Sequence, residues 1–200
     1  MSKYNPNCNH PKKGSTIKVE PIRKLKDIRA IKQVLANKPR DYLLFVMGIN
    51  NGLRAGDLLK LRVLDVGGLK SGQSTIIKEG KTGKENVLMV NKCIDKALQK
   101  YIKAYQPGAW DYLFASQKTK KPLTIQAVNA LVKKWTRTIN LKGNYGAHTL
   151  RKTFGYIQRT KDSVGIEILT KRFNHSSPSV TMRYLGITAD EVNDILMNEI

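Results

Sequence analysis

Acidic residues are scarce in this chain of 200 residues, which has 15 Asp and Glu against 36 Lys and Arg. The formal net charge is therefore +21 at pH 7. Such an excess of cations predicts a polyanionic partner, since an average solvated surface carries both signs of charge. Nucleic acid is favoured over an acidic membrane surface, because the sequence has no long apolar run and no amphipathic anchor.

Cysteine is also rare: Cys8 and Cys93 stand in unrelated contexts and indicate no disulfide framework. Cys8 is close to His10, but no second ligand pair follows at zinc-like spacing, so we expect no metal site. The sequence has no glycine-rich loop of the nucleotide-binding type, and we expect no cofactor. The first residues contain no apolar signal core, which leads us to expect a cytoplasmic protein.

The apolar content, 40% of the residues, is enough for the core of one domain. Residues 1–20 are polar and basic, which is typical of a flexible arm, and we expect residues 21–200 to form the domain. Apolar residues at three- and four-residue steps predict helices, of which the main ones span about 24–36, 41–49, 92–104 and 124–139. The second of these is apolar nearly all round and is predicted to be the central buried helix.

Three short segments have the composition of strands, at about 62–66, 74–78 and 86–90. The second and third are joined by a lysine-rich stretch with Gly80 and Gly83 where a hairpin needs positive φ. The sequence thus predicts a mostly helical α+β domain with a small three-stranded antiparallel sheet at one edge.

The last quarter of the chain contains the most suggestive cluster of polar residues. His148 and Arg151 have i, i+3 spacing, which places both side chains on one face of a helix. An imidazole and a guanidinium on one face are suited to hold a phosphate oxyanion. His175 follows, and Tyr184 comes nine residues later, near the end of a short helix that Ser177 can cap.

A second cation lies far upstream, directly after a predicted helix end. Arg54 is followed three residues later by Asp57. This spacing has two interpretations: an ordinary surface ion pair that contributes little to stability, or a phosphate-binding arginine with an acid that holds nearby groups in place.

Taken together, three segments resemble the motif boxes of the tyrosine recombinases, the phage integrase family. They are GLRAGDLL at 52–59, HTLR at 148–151 and NHSSPSVTMRY at 174–184. Each box alone is weak, but all occur in order at family-like separations, and the resemblance covers roughly residues 20–196. It implies a site-specific recombinase or integrase that cleaves and rejoins double-stranded DNA by transesterification through a 3′-phosphotyrosyl intermediate.

The resemblance also implies roles for individual residues. Tyr184 is the expected nucleophile. Arg54 and Arg151 are expected to clamp the phosphate, since a guanidinium fork binds two oxygens at once. His148 and His175 are expected to donate hydrogen bonds to the phosphoryl group, and His148 is also a candidate to accept the tyrosine proton.

The resemblance further implies that a lysine at the hairpin tip protonates the leaving 5′ oxygen. Lys81 fits that position better than its competitor Lys84, although hairpin lysines are usually solvated. Asp57 is expected to support the site. The chemistry requires no metal, because the cations are built into the chain.

Two alternatives remain: an enzyme of the same chemistry that only relaxes supercoils, and a basic DNA-binding protein without catalysis. Neither the DNA target nor the choice among integration, excision and inversion follows from the sequence. Family members usually carry a separate helical DNA-clamping domain, which we do not expect in this chain. A predicted last helix, about 189–198, carries an apolar stripe that either packs within the protomer or mediates self-assembly on DNA.

Overall fold

The computed structural model describes residues 18–187. Over this range the chain forms nine helices and two strands, so the predicted α+β class with mostly helical content is confirmed. In chain order the elements are α1 (Leu25–Val34), α2 (Pro39–Asn51), α3 (Ala55–Leu58), α4 (Val63–Val66), β1 (Ser74–Lys78), β2 (Glu85–Met89), α5 (Lys92–Tyr105), α6 (Ile125–Thr138), α7 (Ala147–Thr160), α8 (Ile166–Phe173) and α9 (Pro178–Leu185). No helix in this part of the chain is both long and apolar enough to cross a membrane.

The core forms around α2, as predicted from its apolar composition. Leu43 through Met47 are all fully buried, because this helix packs against both α5 and α7. Phe45 meets Trp135 of α6 edge to face, with ring centroids 5.9 Å apart. Full burial of each such side chain contributes roughly 1.5–3 kcal/mol, which makes α2 a firm support for the loop that follows it.

The predicted three-stranded sheet is wrong within the described residues, where β1 and β2 form a two-stranded antiparallel hairpin with Ile76 opposite Val87. The segment expected as the first strand is the short helix α4. The Asp65 carboxylate accepts a hydrogen bond from the Arg62 backbone N–H at 2.7 Å, which favours a helical turn. Only Arg62 keeps a strand-like bridge, to Tyr112.

Some helix boundaries also differ from the predictions. Pro39 was expected to lie in a break but is the first residue of α2, where its missing N–H costs nothing. Helix α8 begins only at Ile166, because Ser163 has φ of 54° and the chain turns there. The predicted helix at 189–198 and most of the expected N-terminal arm lie outside the described residues.

Helices α7, α8 and α9 meet closely around Gly155. A Cβ atom at this glycine would lie 2.6 Å from Leu185 and 2.7 Å from Phe173, so a larger residue would force these side chains apart. Leu169, Phe173 and Leu185 form a second apolar cluster, against which Tyr184 packs. This packing fixes α9, and with it Tyr184, against the helix that carries His148 and Arg151.

Candidate active site

Arg151 is the anchor of the site. Its side chain is 2% exposed and donates hydrogen bonds of 2.7 Å to the carbonyl oxygens of Gly52 and Phe173. Gly52 has φ of 59° and ends α2, which turns its carbonyl toward α7. Burial lowers the pKa of Arg151 to about 10, so the guanidinium stays charged at pH 7. One buried cation thus joins α2, α7 and α8.

Arg54 pairs with a residue that the sequence did not single out. Its Nη1 lies 2.5 Å from Oε2 of Glu79, a buried carboxylate at the start of the hairpin tip. Among the described residues, Arg54 makes no salt bridge to Asp57. Asp57 is itself buried and accepts a hydrogen bond of 2.8 Å from the Gly80 backbone N–H. Both acids therefore hold the hairpin against the segment that begins with Arg54.

The hairpin tip and the N-terminus of α7 border one open cleft. Arg54, Asp57, Lys81 and His148 are among the residues that line this space of about 350 Å³. Lys84 does not line this cleft. Its backbone carbonyl accepts a hydrogen bond from the Glu79 N–H. The cleft thus brings Lys81, rather than Lys84, to the same space as Arg54 and His148.

The two histidines are neutral at pH 7. The pKa of His148 is lowered mainly by partial desolvation and, to a smaller extent, by the positive charge of Arg151. His148 nevertheless lies at the exposed rim of the cleft. The same causes, in the same order, lower the pKa of the half-buried His175 to about 4. Neutral imidazoles can donate one proton and accept another, which suits both predicted roles.

Tyr184 lies close to His175, their ring centroids 5.2 Å apart, and at 5.6 Å from Phe173. Its hydroxyl oxygen is buried and has no hydrogen-bond partner among the described residues. Burial raises the pKa of Tyr184 to about 12, against the opposing charges of Arg151 and Arg54 and a side-chain contact with Arg151 that does not meet the geometry of a hydrogen bond. A neutral phenol with an unused oxygen, beside two cations and an imidazole, is placed to react with an anion.

Two further cations near the site were missed from the sequence. Lys152 holds its Nζ atom 5.2 Å from the centre of the Tyr184 ring. Arg172 donates to the carbonyl oxygens of Asn51 and Val87 and to Oδ1 of Asn86. In a chain with so many cations, neither residue carried a signal that set it apart. No group of three potential metal-binding side chains occurs within the described range.

Comparisons with known proteins identify the family of the chain. A model of the phage integrase family matches residues 23–191. The chain is 41% identical over 175 residues to the probable integrase/recombinase YoeC of Bacillus subtilis, covering 86% of this chain and 92% of that protein. It is 31% identical over 161 residues to the tyrosine recombinase XerC of Caldanaerobacter subterraneus, covering 78% of this chain but 44% of that protein.

Solved structures agree on the fold. The crystal structure of XerA recombinase superposes with a TM-score of 0.73 at 18% identity, over 93% of this chain and 68% of that one. XerH site-specific recombinase, bound to a palindromic difH substrate, also gives 0.73, at 20% identity, over 91% of this chain and 53% of that one. The fold is that of tyrosine recombinase catalytic domains, as predicted. The chain belongs to the phage integrase family and is a site-specific DNA recombinase of the tyrosine class.

Proposed function

We propose that this chain cleaves and rejoins double-stranded DNA with Tyr184 as the nucleophile. The observation that carries the proposal is the Tyr184 hydroxyl, which is buried beside Arg151 and His175 and has no hydrogen-bond partner within residues 18–187. A buried hydroxyl normally has a partner, and a phosphoryl group in this space would supply one. Residues 21–200 are proposed to act as the catalytic unit.

In the cleavage step, the phenolic oxygen attacks the scissile phosphorus while the bond to the 5′ oxygen breaks. Because the Tyr184 pKa is about 12, the phenol must lose its proton during attack, and His148 is the proposed acceptor. His148 and Tyr184 both line a second cleft, of about 380 Å³. Lys81 gives a proton to the departing 5′ oxygen.

The two arginines stabilise the negative charge that develops on the phosphoryl oxygens. Arg54 keeps further donors beyond the one that Glu79 takes, and Arg151 is held rigidly by its two carbonyl contacts. Preorganised donors of this kind contribute about 10²–10³-fold to rate each. The 3′-phosphotyrosyl bond conserves the energy of the phosphodiester, so a free 5′ hydroxyl can reverse the step without ATP.

The DNA partner is supported by the charge of +21 and by solved relatives in complex with DNA, such as XerH with difH. Binding dominated by phosphate contacts should weaken steeply with salt and show little sequence preference in this chain alone. A titration of labelled duplex at two salt concentrations tests this, and affinity that does not change with salt would contradict it. We expect this activity in the cytoplasm.

Self-assembly on DNA is proposed to use the apolar stripe of Val192, Ile195 and Leu196, and packing within the protomer is the alternative. A chain lacking residues 189–200 should bind duplex but form fewer higher-order complexes in gel-shift assays. Unchanged complexes would favour the alternative.

The reaction itself is tested with a nicked duplex that loses its short 5′-hydroxyl strand after cleavage and traps the protein on DNA. A covalent adduct separates a recombinase or a relaxing enzyme from a protein that only binds DNA. Exchange of strands between two labelled duplexes then separates recombination from relaxation, and we expect exchange.

A further inference from the structure

We propose that Glu79 is a positioning residue that joins the Lys81 hairpin to Arg54, so that the general acid and one arm of the phosphate clamp share a fixed geometry. This inference rests on the proposed function of Lys81 and Arg54. Glu79 itself is not expected to touch the DNA.

Both oxygens of the Glu79 carboxylate accept hydrogen bonds from other side chains. Its Oε2 accepts hydrogen bonds from Arg54 Nη1 at 2.5 Å and from the Thr82 hydroxyl at 2.6 Å, and its Oε1 accepts one from Asn86 Nδ2 at 2.8 Å. Glu79 is 1% exposed, so these protein groups replace water as its partners. One carboxylate therefore binds the clamp arginine, the hairpin tip and strand β2.

Lys81 lies between Gly80 and Thr82, each of which is held by a hydrogen bond to a buried acid. On one side, the Gly80 backbone N–H donates to Asp57 at 2.8 Å. On the other, the Thr82 hydroxyl donates to Glu79. The Glu79 backbone also closes the tip, with hydrogen bonds of 2.9 Å to the Lys84 carbonyl and from the Gly83 N–H. The exposed Lys81 side chain thus starts from a backbone that is fixed on both sides.

The charge of Glu79 supports a positioning role. Burial alone would raise the pKa of Glu79, but the hydrogen bonds from Thr82, Asn86 and Arg54 outweigh burial and hold the pKa at about 2. The carboxylate is therefore ionised at pH 7. An anion beside a phosphate site opposes binding of the phosphate. The Glu79 carboxylate therefore contributes by orienting Arg54 and not by attracting the phosphate.

The same network reaches the second clamp arginine. Asn86 donates to Glu79 and accepts from Arg172 Nη1 at 2.7 Å, and Arg172 Nε donates to the Asn51 carbonyl at 2.9 Å. The next residue after Asn51 is Gly52, whose carbonyl receives Arg151. Glu79 is thus the point at which the hairpin joins the framework that holds both arginines.

The test compares Glu79→Gln with a matched control, Glu85→Gln, in the full chain. Glu85→Gln is the same substitution in the same hairpin, but the Glu85 side chain is exposed. Single-turnover cleavage is measured on two nicked duplexes, one with the ordinary phosphodiester and one with sulfur in place of the bridging 5′ oxygen. A thiolate leaves without protonation, so the second substrate does not need the general acid.

We expect Glu79→Gln to slow cleavage of the ordinary substrate by about 10–100-fold, since misplacement of a reacting group by 1 Å costs about that much. The loss should shrink at least several-fold on the sulfur substrate, while Glu85→Gln matches wild type on both. Thr82→Val removes the hydroxyl contacts to Glu79 and to the Lys84 backbone N–H from an exposed residue, and it should show the same pattern more weakly.

Equal losses on both substrates would overturn the proposal, because they would show that Glu79 does not act through the general acid. Wild-type rates in Glu79→Gln would overturn it as well. Failure of the proposed function looks different: the wild-type chain would then form no adduct with either substrate.

Discussion

The Nδ1 nitrogen of His175 lies 2.9 Å from the hydroxyl oxygen of Thr181. Thr181 is fully buried, and the Thr170 hydroxyl lies 2.9 Å from it on the other side. The Thr170 hydroxyl also donates to the Ile166 carbonyl oxygen at 2.7 Å, so the three side chains form one connected network. Because the pKa of His175 is about 4, the ring is neutral at pH 7 and has one proton. The hydrogen bond between Nδ1 and the Thr181 hydroxyl holds the ring in one orientation.

The first prediction follows from this hydrogen bond. Thr181→Val keeps the shape of the side chain but removes the hydrogen-bond partner of Nδ1, so the imidazole loses its fixed orientation. We expect cleavage to slow by about tenfold or more, with DNA affinity unchanged. Single-turnover cleavage measures the rate. Thr181→Ser keeps the hydroxyl and should restore most of the rate, and a Val variant as fast as wild type would contradict the assignment.

The second prediction concerns the two arginines. Both Arg54→Ala and Arg151→Ala should slow cleavage by about 10²–10³-fold, while DNA affinity changes little because many cations remain. Arg151→Ala should also lower the free energy of unfolding, by about 1–3 kcal/mol or more, because it leaves the buried carbonyls of Gly52 and Phe173 without a donor. Arg54→Ala should lower it as well, because it leaves the buried Glu79 carboxylate without its charge partner. Urea unfolding measures both losses, and wild-type stability in either variant would contradict the contacts assigned to that arginine.

The third prediction concerns the general acid. Lys81→Ala should slow cleavage by about 10²–10⁴-fold, since Lys81 lines the cleft with Arg54 and His148. Lys84→Ala is the matched control, because it removes the same charge from the same hairpin, and it should stay within a few-fold of wild type. The opposite order of the two rates would assign the role to Lys84.

The fourth prediction concerns pH. The pKa of His175 falls from its usual 6.5 to about 4 in the folded protein, so the unfolded chain binds a proton in this window that the folded chain does not. The free energy of unfolding should therefore fall as the pH drops from about 6.5 toward 4. His148 acts in the same direction, whereas Glu79, with its pKa of about 2, acts mainly at lower pH.

Urea unfolding between pH 7 and pH 5 measures this slope. His175→Gln removes one of the two titrating groups and should make the dependence on pH shallower. An unchanged slope in that variant would contradict the lowered pKa.

The fold class could be predicted because local periodicity carries it. Residues 41–49 are apolar nearly all round, and α2 is the central helix. The segment at 62–66 shows the limit of this reasoning: its Val and Leu residues fit a strand, but the Asp65 contact to the Arg62 N–H and the backbone bonds to Ala109 and Asp111 select a helix. The bonds to Ala109 and Asp111 join residues far apart in the chain, which local composition does not reveal.

The candidate site could be assembled from the sequence only where motif residues stand out. Tyr184, His175 and the arginines do so through their order and spacing. Glu79 does not, since an acid at the start of a basic hairpin gives no sign that it is buried 2.5 Å from an arginine 25 residues earlier. Partner choice among charged residues depends on tertiary packing, which spacing along the chain does not encode.

The central claim is that Tyr184 is the nucleophile. Tyr184→Phe removes one oxygen and keeps the ring against His175 and Phe173, so the fold and DNA binding should survive. Tyr156→Phe is a matched control, because its ring packs beneath Arg23, away from the cleft.

The most direct measurement incubates wild type and both variants with the nicked duplex and resolves the products on a denaturing gel. We predict a covalent protein–DNA band from wild type and from Tyr156→Phe, and none from Tyr184→Phe. A covalent band from Tyr184→Phe would contradict the account, and peptide mapping of that band would identify the residue that bonds to DNA.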